Sequence, residues 1–264
     1  QVRSNIDIQP LKNLNIGVDL MGRFENEHFP GSYGSAGSLF AIVQRADPTA
    51  TAWYPNGLPA YSGEKGTTPI MLSSDKSGWS ESLTKYFTSK FTIGLDLDWV
   101  TQGLSLTGYG FFSYQNGSGE NLQRPYTLYS YNKDTDSYIQ MQGAQQGVGS
   151  NIIFSQNNSG SQGNLYNLML RYERGFGNHK FDAFIAYEQS ESSYKYMSAG
   201  RRNLYSDQML ELFAGEEDAR TVNGYSSQSG RVNYFGNLSY NYMRKYILDF
   251  TLRRDGSFNF PEGK

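Results

Sequence analysis

The chain has 264 residues, no cysteine and a formal net charge of −2. The lack of cysteine excludes disulfide frameworks, thiolate metal sites and cysteine nucleophiles, and the charge excludes the basic surface by which proteins bind nucleic acid. The 21 tyrosines, 16 phenylalanines and 29 glycines favour strands and turns. No run of about 18 apolar residues predicts a membrane-spanning helix.

The first predicted hairpin lies near the N-terminus and has its turn at residues 10–13. On both sides of this turn apolar residues recur at every second position, which is the period of a strand with one apolar face. These residues are Ile6, Ile8, Leu14, Ile16, Val18 and Leu20. The pattern predicts two strands.

The second predicted hairpin alternates over residues 91–99, turns at residues 101–103 and returns over residues 104–114. Asp96 and Asp98 would both lie on the polar side of its first strand. Together with the first hairpin, it gives four strands with one apolar and one polar face.

The third hairpin has its turn at residues 175–178, and the fourth has its turn at residues 243–245. Alternating apolar and aromatic residues flank both turns. They are Leu168, Leu170, Tyr172, Phe181, Ala183, Ile185 and Tyr187 in the third hairpin, and Val232, Tyr234, Gly236, Leu238, Tyr240, Tyr242, Tyr246, Leu248, Phe250 and Leu252 in the fourth. The four hairpins predict eight strands.

The connections between the hairpins are long, at roughly residues 24–86, 115–163 and 189–228. Connections in compact soluble domains usually have about six residues. Short turns on one side and long loops on the other are typical of a bacterial outer-membrane barrel, whose short turns are periplasmic. We therefore predict an all-β fold: about eight strands of a larger transmembrane antiparallel β-barrel with long extracellular loops.

Aromatic residues gather beside the predicted short turns. They are Trp99, Tyr172, Phe176, Phe181, Tyr242 and Tyr246. In a barrel they would form an aromatic girdle at the membrane interface. The alternative is that they pack the core of a β-sandwich. The polar opposite face favours the girdle.

The predicted strand directions place both ends of the chain on the long-loop side. Barrels of this type normally begin and end in the periplasm, and residues 258–264 resemble the start of another loop. Eight strands alone would also leave two unpaired edges in lipid, where backbone groups find no water. We therefore expect residues 1–264 to form the middle section of a larger barrel.

The sequence predicts no catalytic residue, metal site or cofactor. His28 and His179 are far apart in the predicted topology, which argues against a shared metal ion. Residues 132–136 resemble the start of a calcium loop, but Ser137 and Gly143 stand where that loop needs glycine and glutamate. A polar loop tip fits better. Carboxylates on the polar strand face would line the barrel lumen without catalysis.

Two loop segments combine aromatic and amide side chains on the predicted external side. The candidate ligand-binding residues are Trp53, Tyr54, Asn56, Tyr126, Tyr129 and Tyr131. Flat aromatic faces and amide hydrogen bonds suit a sugar or a peptide. Packing of the loops against one another is the simpler interpretation, and both interpretations stay open.

Several motifs resemble those of a known family. Residues 234–242 (YFGNLSYNY), 245–248 (KYIL) and 253–260 (RRDGSFNF) look like the mid-barrel signature of SusC/RagA-type TonB-linked outer-membrane proteins of Bacteroidetes. Residues 45–50 (RADPTA), followed by residues 54–57 (YPNG), resemble a loop motif of the same family. The order and spacing of these motifs fit one continuous barrel section.

The resemblance implies a 22-stranded barrel, an N-terminal plug, a TonB box and a SusD-like surface lipoprotein that closes over the barrel as a lid. This sequence contains neither plug nor TonB box. The expected function is TonB-dependent uptake of an oligosaccharide or peptide across the outer membrane, powered by TonB-ExbB-ExbD. One alternative is a soluble or surface-exposed all-β glycan-binding module. Another is an outer-membrane enzyme, for which His28 would be the sole external candidate base.

Overall fold

A computed structural model describes residues 1–31, 36–46, 48–49, 51–61, 69–141 and 151–259. Asp47 and Ala50 of the motif at residues 45–50 lie outside the described residues, as do residues 260–264 of the predicted loop start. Of the helices that the structure describes, none has the length and apolar character needed to cross a lipid bilayer.

Ten strands and a few short helices make up the described fold. In chain order, the strands are β1 (Val2–Leu11), β2 (Leu14–Pro30), β3 (Gly78–Asp96), β4 (Leu104–Gln123), β5 (Tyr129–Asn132), β6 (Ser137–Gln140), β7 (Ile153–Phe176), β8 (His179–Arg202), β9 (Arg220–Tyr242) and β10 (Tyr246–Ser257). The helices are α1 (Ala36–Arg45), α2 (Pro69–Leu72) and the 3-10 turns Asp75–Ser77 and Glu217–Ala219.

Eight of the strands form one antiparallel sheet in the order β1-β2-β3-β4-β7-β8-β9-β10. In this sheet each strand pairs with the strands before and after it along the chain. The small hairpin β5-β6 forms a separate sheet within the connection from β4 to β7. The sheet is open, with β1 and β10 at its edges. The prediction of eight strands in an all-β antiparallel sheet is confirmed.

The strand register separates an apolar face from a polar one. One row across the sheet contains Leu95, Leu106, Leu170, Ile185 and Gly236, followed by Leu252. Ile185 is 68% exposed and Leu252 66%. Among the described residues no second sheet covers this face, so its aromatics are not the core of a sandwich. We call it the outward face.

Two aromatic belts border the outward face. The lower belt lies beside the short turns and consists of Trp99, Tyr172, Phe176, Phe181, Tyr242 and Tyr246. An upper belt, which was not predicted from the sequence, consists of Phe24, Phe87, Tyr114, Tyr166, Tyr187 and Tyr234. Tyr234 and Tyr242 are eight positions apart on β9. At ~3.3 Å per residue and a tilt of ~40°, this separation spans ~20 Å, close to the apolar band of outer-membrane barrels.

The strands continue well beyond the upper belt, so the predicted loop bounds were wrong. The connections cover only residues 31–77, 124–152 and 203–219. Above the belt, both faces carry polar residues, as in Asn157, Asn158, Ser159 and Gly160 of β7. Hydropathy alternation disappears there because water wets both sides of the sheet, while the backbone pairing of the strands continues. His28, predicted in a loop, therefore lies within β2.

The turn after β3 begins earlier than predicted. β3 ends at Asp96, so Leu97, Asp98 and Trp99 belong to the turn rather than to a strand. The Asp98 carboxylate accepts a hydrogen bond from the Gly103 backbone N–H at 2.7 Å. Asp98 therefore stabilises the turn and does not share a polar strand face with Asp96.

Two other short turns are tighter than predicted. Pro10 lies within β1, which is an edge strand with a register irregularity between Ile8 and Leu11. Both features tolerate a residue that has no backbone N–H. The turn predicted at residues 175–178 is shortened because β7 extends to Phe176, and β8 begins at His179, whose Nδ1 lies 2.7 Å from the Tyr240 hydroxyl.

The turn between β9 and β10 contains two residues in the left-handed region, Met243 (φ 53°) and Arg244 (φ 58°). A Lys245 N–H to Tyr242 C=O hydrogen bond of 3.0 Å closes the turn. Asparagine and glycine suit this conformation better. We expect M243N/R244G to stabilise the full-length protein by about 1–2 kcal/mol, seen as a higher urea midpoint. A lower midpoint would contradict this account of the turn.

Two clusters of buried apolar residues lie where the long connections meet the ends of the strands, and not between two stacked sheets. One contains Met71, Tyr126 and Leu128. The other contains Leu122 and Phe154 on neighbouring strands, together with Leu204 from the connection between β8 and β9. These two cores anchor the external connections to the upper ends of the strands.

Candidate functional site

The face of the sheet opposite the outward face is lined by polar side chains that pair with one another. We call it the inward face. The Glu188 carboxylate on β8 accepts hydrogen bonds from the Asn167 amide at 3.3 Å and from the Asn233 amide at 3.2 Å. Asn233 is 6% exposed. Three neighbouring strands are thus joined by side chains that would be unfavourable against lipid. This geometry suits the wall of an aqueous lumen.

The inward face also carries ion pairs near the short turns. Arg171 binds both oxygens of Asp182, at 3.0 Å and 2.6 Å, and lies 3.3 Å from Glu173. Glu173 in turn contacts Lys180 at 2.9 Å. Each of these carboxylates is therefore matched by a cation, as expected for a structural lumen wall.

Metal-binding geometry does not occur in the described part of the chain, where no three His, Asp or Glu side chains are grouped to hold an ion. His28 contacts the Glu81 carboxylate at 3.1 Å on the outward face, and both side chains are more than half exposed. The predicted calcium-like run at residues 132–136 forms the tip of the β5-β6 hairpin, where the Asn132 carboxamide oxygen accepts a hydrogen bond from the Asp134 N–H.

A cluster of three tyrosines lies on the inward face above the level of the upper belt. The Tyr225 ring centroid is 5.7 Å from that of Tyr194 and 5.5 Å from that of Tyr196. Tyr225 is 58% exposed. We call these residues the tyrosine patch. It offers flat aromatic surface to anything that enters the lumen from outside.

The tyrosine patch was not predicted from the sequence, because the predicted strands ended near residues 189 and 228. The spacing of Tyr194 and Tyr196, two positions apart, is the signal that these side chains share one face of a strand. Because the predicted strands stopped before these positions, the sequence offered no pairing partner for either tyrosine. Tyr225 lies directly opposite Tyr196 in the β8-β9 pairing.

The external loop residues singled out from the sequence are brought together. The Tyr54 ring lies 6.4 Å from Tyr131 and 4.9 Å from Tyr138, and the Tyr54 hydroxyl accepts a hydrogen bond from the Tyr131 backbone N–H at 3.0 Å. The ammonium group of Lys76 lies 4.9 Å from the centre of the Trp53 ring. The two predicted segments thus pack against each other across about 75 residues of sequence.

The other candidates have structural partners of their own. Tyr126 is buried with Met71 and Leu128. Tyr129 forms backbone hydrogen bonds with Pro59 and Tyr61.

The Asn56 carboxamide oxygen accepts a hydrogen bond from the Leu58 N–H and so holds its own turn. Tyr131 is 38% exposed. Contact of these six residues with a ligand stays a prediction, and Tyr131 and Asn56 are the most accessible among them.

Tyr131 is also tied to the hairpin tip. Its hydroxyl donates a hydrogen bond to the Asp136 carboxylate at 2.8 Å, and this bond, with the nearby negative charge, raises the pKa of the Tyr131 phenol. The phenol therefore remains neutral and able to donate a hydrogen bond across the physiological pH range.

We expect Tyr54→Phe to loosen the contact between the two loops, because the Tyr131 N–H loses its acceptor at a cost of about 1 kcal/mol. Hydrogen exchange of the Tyr131 amide in the full-length protein should then be about fivefold faster. Tyr138→Phe is the control, since it keeps the ring contacts with Tyr54. Equal acceleration in both variants would contradict the role of the Tyr54 hydroxyl.

Comparison with known proteins gives two curated relatives, although no family model matches. The chain is 30% identical over 120 residues to TonB-dependent receptor P3 of Formosa agariphila. It is 26% identical over 130 residues to TonB-dependent receptor SusC of Bacteroides thetaiotaomicron. The alignments cover 45% and 46% of the chain, and 12% of each relative. The chain thus matches a small part of much longer proteins.

Solved structures share the fold over almost the whole chain. The RagAB peptide transporter superposes with a TM-score of 0.72 at 16% identity, covering 98% of this chain and 28% of the other. Its "open-open" state gives a TM-score of 0.74 at 16% identity, covering 99% and 28%. The eight-stranded open sheet is therefore part of the same barrel fold.

The predicted resemblance is confirmed by both comparisons, and the sequence matches are to TonB-dependent receptors rather than to enzymes. TonB-dependent receptors are bacterial outer-membrane proteins, which agrees with a sheet that exposes apolar side chains on one face and paired polar side chains on the other. The chain is therefore similar to a barrel segment of TonB-dependent receptors of the SusC/RagA type.

Proposed function

We propose that this segment forms part of the wall and external loops of an importer that takes up an oligosaccharide or peptide across the outer membrane. The observation that carries this proposal is the division of the eight-stranded sheet into an apolar outward face and a polar inward face. A soluble glycan-binding module would have to cover the outward face, where Ile185 is 68% exposed.

The tyrosine patch and the accessible loop residues Asn56 and Tyr131 are the proposed ligand contacts. Pyranose rings and aromatic peptide side chains both stack on tyrosine. Strand amides such as Asn157 and Asn223 share the inward face with Tyr194 and Tyr225 and would supply hydrogen bonds. The structurally similar RagAB complex is a peptide transporter, which supports the peptide class, whereas the aromatic and amide surface suits both classes.

The proposed partners follow from the family. They are a SusD-like surface lipoprotein, which would close over the external loops, and TonB-ExbB-ExbD, which would act through a plug and TonB box outside residues 1–264. In this arrangement residues 1–264 are the middle section of the barrel. Outer-membrane lipid contacts the outward face.

A deletion strain of the full-length gene tests the proposal. We expect loss of growth on, and uptake of, one class of oligosaccharide or peptide, and full recovery with the wild-type gene. A strain that takes up every glycan and peptide tested at the normal rate would contradict the proposal.

Complementation with Y194A/Y225A tests the tyrosine patch. We expect the half-saturating substrate concentration to rise about tenfold, because each lost stacking contact costs roughly 0.5–1.5 kcal/mol. Tyr205→Ala, which removes an 80% exposed tyrosine from a loop, is the matched control. Equal uptake by both variants would show that the tyrosine patch does not contact the ligand. The proposal that the protein is an importer would be unaffected.

A further inference from the structure

An apolar groove interrupts the outward face between the two aromatic belts. It has a volume of about 990 Å³, and its walls include Leu170, Leu238 and Phe250. Ala183 and Gly236 also line it, and their small size creates the hollow. A Cβ atom on Gly236 would come within 2.7 Å of the Phe184 carbonyl oxygen, so this position of the groove stays free of a side chain.

Arg254 lies at the upper end of the groove and is the one charged residue among the described residues that line it. It pairs in register with Tyr234, which pairs with Tyr187, and the two tyrosine rings are 5.3 Å apart. Its neighbour Arg253 faces inward and contacts Asp255 at 2.7 Å. Within the part of the chain that the structure describes, Arg254 forms no such ion pair.

The height of Arg254 matches a membrane interface. From Phe250 to Arg254 the groove extends four residues along β10, a rise of about 10 Å at ~3.3 Å per residue and a tilt of ~40°. The lower part is bordered by leucine and phenylalanine, and the upper part by two tyrosines of the upper belt. Aromatic belts mark the level of lipid headgroups. The guanidinium group is thus placed where acyl chains end and headgroups begin.

We propose that the groove binds one phosphate-bearing membrane lipid, with an acyl chain against Leu170 and Leu238 and its phosphate on Arg254. A guanidinium group donates two parallel hydrogen bonds to a phosphate, and the interaction is strong where water is scarce. An acyl chain alone would supply no anion to the Arg254 guanidinium group. A second copy related by a two-fold axis through the groove would bring two arginines together and supply no anion either.

Native mass spectrometry of the delipidated full-length receptor in detergent tests the proposal with three probes. Phosphatidic acid carries both an acyl chain and a phosphate, diacylglycerol carries only the chains, and inorganic phosphate carries only the anion. We expect one phosphatidic acid to bind at least tenfold more tightly than diacylglycerol, and inorganic phosphate to show no binding in the same range.

Two variants assign the contacts. Arg254→Gln should reduce phosphatidic acid affinity about tenfold and leave diacylglycerol affinity unchanged, whereas Ala183→Leu, which fills the groove, should weaken both lipids. Lys195→Gln, on the same outward face but above the upper belt, should change neither. Circular dichroism would verify that Arg254→Gln leaves the thermal unfolding of the receptor unchanged.

Three results would overturn the lipid site. They are equal binding of phosphatidic acid to the wild type and Arg254→Gln, equal binding of phosphatidic acid and diacylglycerol to the wild type, and a dimer that dissociates in Arg254→Gln without any bound lipid. None of these measurements depends on which substrate is imported. Failure of the lipid site therefore leaves the proposed function intact.

Discussion

Replacement of Gly103 by alanine should destabilise the full-length receptor by about 3 kcal/mol or more. Gly103 has φ +86°, and a Cβ atom there would lie 1.9 Å from the Glu173 carbonyl oxygen. The side chain would also push apart the 2.8 Å hydrogen bond from the Glu173 N–H to the Gly103 carbonyl, which joins this turn to β7. Backbone strain costs about 1–3 kcal/mol, and the loss of this hydrogen bond adds about 1 kcal/mol.

Gly160→Ala is the matched control for this turn. Gly160 also lies on the sheet, but a Cβ atom there meets nothing within 4 Å. Urea unfolding of each variant in lipid vesicles measures the difference. If Gly103→Ala and Gly160→Ala unfolded at the same urea midpoint, the turn after β3 would not require glycine at position 103.

An arginine at Leu170 should impair insertion into the membrane, whereas an arginine at the adjacent Met169 should be tolerated. Leu170 lies on the outward face about midway between the aromatic belts, and Met169 lies on the inward face opposite Thr107 and Ala186. A charged side chain facing lipid at the bilayer midplane of a barrel costs about 2–4 kcal/mol, and one facing the lumen costs little.

The amount of folded receptor recovered in isolated outer membranes reports this difference. The pair of variants is well matched because the two positions are adjacent on one strand and receive the same side chain. Equal losses for L170R and M169R would contradict the assignment of the two faces. A loss only for M169R would reverse that assignment.

The alternation of apolar and polar residues predicted the strands accurately wherever one face of the sheet contacts lipid. Residues such as Leu14, Ile93, Leu168 and Phe250 reveal their strands because one face must be apolar and the other polar. Above the upper belt that requirement ends. Residues such as Asn158 and Ser193 pair through their backbones alone, and no periodicity of side chains marks their strands.

The candidate site was predictable in composition but not in arrangement. Aromatic residues in two distant loops suggested a shared function, and the contact between Tyr54 and Tyr131 confirms that the loops meet. The burial of Tyr126 depends on Met71, from a third segment, which no local pattern indicates. The tyrosine patch required the register of β8 against β9, and register is a property of the folded sheet.

In the proposed importer, the extension of the sheet above the upper belt would affect how a charged cargo is selected. On β8 the wall continues from Gln189 to Arg202, a rise of roughly 33 Å at ~3.3 Å per residue and a tilt of ~40°. This height is about four Debye lengths at physiological ionic strength. The anionic surface of the membrane is therefore screened from cargo at the rim, where charge discrimination depends on the protein's own side chains.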